Sequence, residues 1–224
     1  KTGLGGSEEA VVYLSKELTK LGWHVTVYAN PGADAGDHEG VTYTPYYMLN
    51  PKDAFNVLIL WRSIGFVDVP DLNARYVAVW MHDYPNCADF TVERVNKVDK
   101  VFVLSDYHLS LLKMVQRDGS FVPFPENKVM VTANGITLSK EFGKKKILRN
   151  PYRCIYTSSY DRGLIYLLNM WPEIKKEVPQ AELHIFYGWN LFDVIHKNNP
   201  ARLQWKAQMI KLMNQPGVSE HGRI

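Results

Sequence analysis

Cysteine is scarce in this chain. Cys87 and Cys154 are the only two among 224 residues and stand far apart, which excludes a disulfide framework and a cysteine-rich metal site and points to a reducing, cytoplasmic compartment. The seven histidines show no metal-ligand spacing, so no metal is expected. Long hydrophobic runs are missing too: no stretch reaches membrane-spanning length, and no signal peptide opens the chain. Neither sign of charge prevails. With 26 Lys and Arg against 23 Asp and Glu the net charge is +3, too slight for nucleic acid but compatible with an anionic small molecule or with peripheral contact at an acidic membrane surface. The sequence also lacks an initiating methionine. Lys1 leads straight into a glycine turn, so the strand that should feed that turn is missing and the sequence reads as a fragment or a trimmed product. Sheet edges left unpaired in that way invite self-association.

What is present is ample apolar material, 46% of residues, enough for one large or two small domains. The chain is organised around its opening, Gly3-Leu4-Gly5-Gly6-Ser7-Glu8-Glu9. Val11, Leu14, Leu18 and Leu21 follow at helical spacing, with Lys16, Glu17 and Lys20 on the other face. Ser7 is the expected N-cap and Gly22 the stop. Glycine lets the backbone approach a ligand, and the helix start behind it offers free N–H groups and a positive dipole end, a place for a phosphate. The alternative is a tight turn that merely feeds the helix. Neither a dinucleotide-binding fingerprint nor a P-loop fits, because Glu8 stands where the third glycine is required and no Gly-Lys-Ser/Thr follows.

Residues 23–29 alternate as a strand, 30–40 have the composition of a loop, and 41–44 form another short strand. Residues 55–61 and 75–81 are nearly continuous apolar runs, the signature of strands buried on both faces of a parallel sheet; 101–104 and 128–131 repeat it. Between these last two, Ser105 caps an expected helix through Leu109, Leu112 and Val115. The apolar pattern lapses from Leu138 to Asn150, where Lys144-Lys145-Lys146 reads as a solvated hinge. A second alternation follows: a strand at 153–156, a helix from Arg162 through Leu164, Leu167, Leu168 and Trp171, and a strand at 182–187. Pro172 interrupts that helix as a kink or as the start of a further turn. A helix near 201–213 and an apolar-tinged stretch at 217–224 complete the chain. Repeated strands with intervening helices predict an α/β fold of two Rossmann-like parallel-sheet domains. The first covers 1–140 without its first strand, 141–150 is a linker, and 151–224 is a truncated second domain.

Two such sheets joined by a linker, the first opening on a Gly-Gly turn, resemble the GT-B architecture of nucleotide-sugar glycosyltransferases, with two domains facing a cleft. More narrowly, the chain resembles glycosyltransferase family four. Gly3-Leu4-Gly5-Gly6-Ser7-Glu8-Glu9 is similar to that family's Gly-Gly loop, residues 98–105 to its Val-Asp strand ending in Ser, and Thr132-Ala133-Asn134-Gly135-Ile136 to its Asn-Gly-Ile/Val step. In the second half, Ser158-Ser159-Tyr160-Asp161-Arg162-Gly163-Leu164 stands where a Lys-Gly pair opens the first helix, and residues 179–188 resemble the strand that follows. There are departures. Arg162 replaces the usual Lys, and the Ser pair stands where the family often has Gly-Arg, so one of two cationic phosphate contacts is missing. The family's acidic motif would lie downstream of Ile224.

The resemblance implies a metal-independent transferase that retains anomeric configuration and uses a UDP- or GDP-linked sugar as co-substrate, without a further cofactor. The acceptor would be a glycan, a lipid or a small molecule. No Asp-x-Asp of the metal-dependent kind occurs. Arg162 and Gly163, at the start of a predicted helix, would receive the diphosphate, since charge and dipole end coincide there. His82, after the strand ending at Met81, would face the donor sugar at the carboxyl edge of the first sheet, or else is an ordinary loop histidine. Gly5, Gly6, Asn134 and Gly135 would bring backbone near the ligand, Asn134-Gly135 being equally a simple turn. Tyr187, Gly188, Arg223 and Ile224 match the family's walls for the nucleotide base. Two other readings compete: a GT-B sugar-nucleotide epimerase, which needs an acid/base pair for which no pair of carboxylates is placed, and a non-catalytic sugar-nucleotide-binding fragment.

Overall fold

The computed structural model describes residues 5–136, 143–144 and 148–223, leaving out the side chain of Cys87. Half of the expected linker, with Lys145 and Lys146, and the expected site residue Ile224 lie outside the described residues. The chain divides into two compact units, Leu4–Thr137 and Leu138–Ile224. Both are α/β layers with parallel sheets, as the sequence pattern implies. No described helix is long and apolar enough to cross a membrane.

In the first unit, α1 (Gly6–Lys20) starts two residues earlier than an N-cap at Ser7 would have it. Gly5, in an extended conformation, is the N-cap, whereas Ser7 is already helical and its hydroxyl donates to Glu8 Oε2 at 3.1 Å. Leu21 is 76% exposed because it falls beyond the last helical turn, and Ser15 is buried in the helix face instead, its hydroxyl donating to Val12 O. β1 (Val25–Ala29) follows and then β2 (Gly36–His38), which turns back antiparallel onto β3 (Val41–Pro45); β3 in turn pairs parallel with β1. The sequence reading had β2 as loop.

A second sheet comprises β4 (Leu58–Trp61), β5 (Val77–Trp80), β6 (Lys100–Val103), which follows the short α2 (Val92–Asn96), and finally β9 (Val129–Val131). The four are parallel in the order β4-β5-β6-β9. Val77, Ala78 and Val79 of β5 are buried on both faces, as its continuous apolar run predicts. β4 lies at the sheet edge, and Ile59 there is 38% exposed. Ser105 does cap α3 (Asp106–Leu111), accepting from His108 N–H at 3.0 Å. The helix stops well short of Val115, because the chain leaves it for a hairpin, β7 (Met114–Arg117) and β8 (Ser120–Pro123), in which Val115 is buried as a strand residue.

The second unit is smaller. β10 (Arg153–Tyr156), β11 (Glu182–Ile185) and β12 (Val218–Glu220) form a parallel sheet in sequence order, with α4 (Leu164–Glu177), the short α5 (Asn190–His196) and α6 (Pro200–Met213) between them. Leu164, Leu168 and Trp171 of α4 meet Leu183 and Ile185 of β11 and Met209 and Met213 of α6 in the core. α4 runs on through Pro172, so no new turn starts there. Proline removes the N–H that would bond the carbonyl four residues earlier, but that carbonyl, Leu168 O, accepts from Gln215 Nε2 at 2.9 Å. The side chain of a distant residue repairs the break.

Candidate functional site

Parallel sheets bind ligands beyond the carboxyl ends of their strands, and the expected site residues stand at such edges in each unit. In the first unit, Trp61 and Arg62 close β4 while His82 and Asp83 follow β5. The His82 ring lies 4.4 Å from that of Trp80 and 6.3 Å from that of Trp61. Arg62 holds a left-handed backbone conformation, φ 70°, uncommon for a residue with a side chain. Its guanidinium sits over the Trp61 ring at 4.9 Å, is ion-paired with Asp83, and reaches Glu8 Oε1 at 3.7 Å. Glu8 connects this edge to the glycine turn, because a Cβ on Gly5 would collide with Glu8 Oε2. The space left by the Gly5 side chain is thus taken up by an internal carboxylate at the start of α1, an anion placed where the helix dipole favours one. Asn134 and Gly135 are exposed in the loop after β9, two strands and so about 10 Å along the edge from β5. Gly135 has no left-handed backbone.

Three buried nitrogens on this edge, Trp61 Nε1, His82 Nε2 and His108 Nε2, have no hydrogen-bond partner among the described residues. His108 Nδ1 accepts from Leu104 N–H at 3.3 Å, which places its proton on Nε2. Burial pulls the His82 pKa below the ordinary imidazole range; Arg62 and His108 act in the same direction, and Asp83 and Glu8 oppose. His82 is therefore neutral at neutral pH. The unfolded chain takes up a proton at the ordinary value that the folded chain refuses, so this contribution is absent at high pH and becomes a destabilisation as pH falls. The unfolding temperature should drop between about pH 7 and 5, and His82→Gln should make that part of the profile shallower. Superimposable profiles would contradict a buried neutral His82.

In the second unit, Gly163 is the N-cap of α4 with φ 91°, and no side chain caps this helix start. Arg162 beside it is exposed, with no ion-pair partner among the described residues. Tyr156 Oη bonds the carbonyls of Ser159, at 2.8 Å, and Arg162, at 3.2 Å, and so holds this turn. Tyr187 and Gly188 follow β11, and Arg223 follows β12 with its guanidinium 5.8 Å from the Tyr187 ring centroid. Gly188 (φ 82°) must be glycine: a Cβ would stand 3.2 Å from Arg223 N on top of the left-handed strain. The structure thus brings Tyr187, Gly188 and Arg223 together.

The sequence reading missed Tyr160, which ties this cluster together. Its hydroxyl donates to Glu220 Oε1 at 2.7 Å and accepts from Gly188 N–H at 2.9 Å. Burial and the Glu220 carboxylate push its pKa well above the usual phenol range, so it remains a donor. Around it opens a cavity of about 190 Å³, lined by Tyr160, Tyr187, Trp189, Phe192 and Trp205 with Ser159, Asp161 and His196 among its polar groups. Trp189 is the hub, 4.5 Å from Tyr160, 5.3 Å from Phe192 and 5.9 Å from Trp205. The volume suits one ring rather than a whole nucleotide sugar. On the sheet face, His184 and His221 are hydrogen-bonded at 2.8 Å with rings parallel to within 4°. Among the described residues no three His, Cys, Asp or Glu side chains gather as a metal site, and Cys154 is an exposed free thiol.

Arg62 was legible by the same signal that singled out His82, a polar residue directly after an apolar strand. Tyr160 gave no such signal, since its role depends on Glu220 arriving from β12.

No protein-family model and no curated protein sequence matches this chain. Among solved structures, the pneumococcal O-GlcNAc transferase GtfA in complex with UDP and GlcNAc superposes with a TM-score of 0.48 at 15% identity, over 76% of this chain and 35% of that one. The chain therefore spans about a third of the length of that neighbour.

Proposed function

We propose that the chain serves sugar transfer from a nucleotide-sugar donor to an acceptor, with the donor on the second unit and the acceptor on the first. The observation that carries this reading is the uncapped start of α4, with the Arg162 guanidinium beside it, free of ion pairs among the described residues, and the wall of Tyr187, Gly188 and Arg223 close by in the same sheet-edge region. Breaking the anomeric C–O bond leaves negative charge on a diphosphate oxygen. Backbone N–H groups at a helix start and a planar guanidinium are the groups that stabilise such charge. In this reading these groups supply the positive charge and no metal is needed. Retention of configuration and a UDP or GDP donor follow from the resemblance to family four.

On the first unit, neutral His82 would offer a hydrogen bond to a sugar hydroxyl at the transfer step. His82→Ala should lower turnover about fivefold, the value of one such bond, and leave nucleoside diphosphate affinity unchanged. Equal turnover would remove His82 from the reaction.

The proposal is tested by incubating the protein with several UDP- and GDP-sugars, scoring release of the nucleoside diphosphate together with the shift in unfolding temperature. Release with a shift supports transfer. A shift without release makes the chain a sugar-nucleotide-binding module, and neither response ends the reading.

A further inference from the structure

Tyrosine is distributed unevenly over the first unit. Tyr46, Tyr47, Tyr84 and Tyr107 are 64%, 74%, 76% and 72% exposed, against 50% for Tyr13 on the outer face of α1. All four lie within about four residues of a strand's carboxyl end: Tyr46 and Tyr47 come straight after β3, Tyr84 follows His82 and Asp83 in the loop after β5, and Tyr107 stands in the first turn of α3 after β6. β5 and β6 are parallel neighbours, so Tyr84 and Tyr107 share one sheet edge with Arg62 and His82. The loop after β3 belongs to the same side. α1 packs against β1 and β3 and enters β1 through a short connection, so its start lies at their carboxyl ends. Glu8, at that start, reaches Arg62 at the carboxyl end of β4.

The hydroxyls of Tyr84 and Tyr107 have no partner among the described residues, and neither ring stacks on another. Tyr46 and Tyr47 form an edge-to-face pair at 5.6 Å. An exposed tyrosine offers an apolar ring face and a free donor and acceptor together. That combination matches a sugar ring, which presents C–H groups on its faces and hydroxyls around its rim. The charges on these loops argue against an acidic surface as the occupant: Arg62 is neutralised by Asp83 and Glu8, and Asp106 adds a further carboxylate.

We propose that the carboxyl edge of the first unit is a tyrosine platform for a neutral oligosaccharide, with Tyr84 and Tyr107 as principal stacking residues and Tyr46-Tyr47 extending it. It rests on the sugar-transfer reading only for its purpose, since it makes the acceptor a glycan. The test is titration of the whole chain with maltohexaose, cellohexaose and chitohexaose, followed by nuclear magnetic resonance, with vesicles of phosphatidylcholine and phosphatidylglycerol as a second arm and UDP-induced thermal shift read on the same samples. At least one oligosaccharide should bind. Each of Tyr84→Ala and Tyr107→Ala should weaken it about three- to tenfold, Tyr→Phe at the same positions should retain most of the binding, and Tyr13→Ala should leave it unchanged. Binding of no oligosaccharide, unchanged binding in the Ala variants, or binding to the vesicles alone overturns the platform. Loss of the UDP shift with oligosaccharide binding intact overturns the donor reading and leaves the platform standing.

Discussion

Arg162→Ala is expected to weaken UDP or GDP binding about tenfold or more by calorimetry, the cost of a lost charge-assisted hydrogen-bond pair. The residue is suited to that loss because its guanidinium has no competing ion pair among the described residues. Its backbone is held by Tyr156 and by its own N–H donating to Ser159 O at 3.0 Å, so the variant removes the charge without unlocking the turn. Arg162→Lys keeps the charge and loses the planar fork, and should fall between the two. Because the site is open to solvent, the difference between wild type and Ala should shrink as salt is raised. Equal affinities for Arg162 and Ala at low salt would remove this residue from any diphosphate site and with it the main support for a donor on the second unit.

Trp171→Ala should destabilise the second unit by about 3 to 5 kcal/mol. Trp171 is 1% exposed and among the largest fully buried side chains, so the deletion leaves a cavity between α4, β11 and α6. It also removes the bond from Trp171 Nε1 to Pro216 O, 3.0 Å long, which fixes the turn before β12. Trp171→Phe separates the two effects: it fills much of the space but leaves the Pro216 carbonyl without its donor, for an expected cost of about 1 to 3 kcal/mol. Hydrogen exchange at the β11 amides is the appropriate measurement, since it reads this unit independently of the first. Protection in Trp171→Ala lowered by less than about 1 kcal/mol would mean that the core closes without this side chain.

The parallel strands were legible because burial on both faces writes continuous apolar runs, and β5 shows it most fully. α4 was legible from the spacing of Leu164, Leu168 and Trp171. Two antiparallel hairpins were not read, although each leaves a local mark. Glu39-Gly40 and Asp118-Gly119 are two-residue loops with positive φ at both positions, 53° and 83° in the first, 47° and 81° in the second. Asp-Gly is a pair that favours such turns, whereas in Glu39-Gly40 the glycine alone leaves the mark. The second pair was overridden by an apparent helical spacing through Val115, a position that a strand buries equally well. At the candidate sites, residues standing just beyond strands were found from sequence, as His82, Tyr187 and Gly188 were. Arg62 carries the same mark at the end of β4, whereas the roles of Glu8, Tyr160 and Glu220 were not legible, because they arise from pairings across the fold rather than along the chain.

The repair of α4 at Pro172 bears on the order in which the second unit assembles. The carbonyl of Leu168 is satisfied by Gln215, a residue that lies beyond α5 and α6 in the chain. The middle of α4 is thus a non-local structure despite being helical, and its completion waits on a long loop closing. The other backbone bonds of this helix are made between neighbours, while the Leu168 carbonyl gains its donor only when the chain returns from the far end of α6.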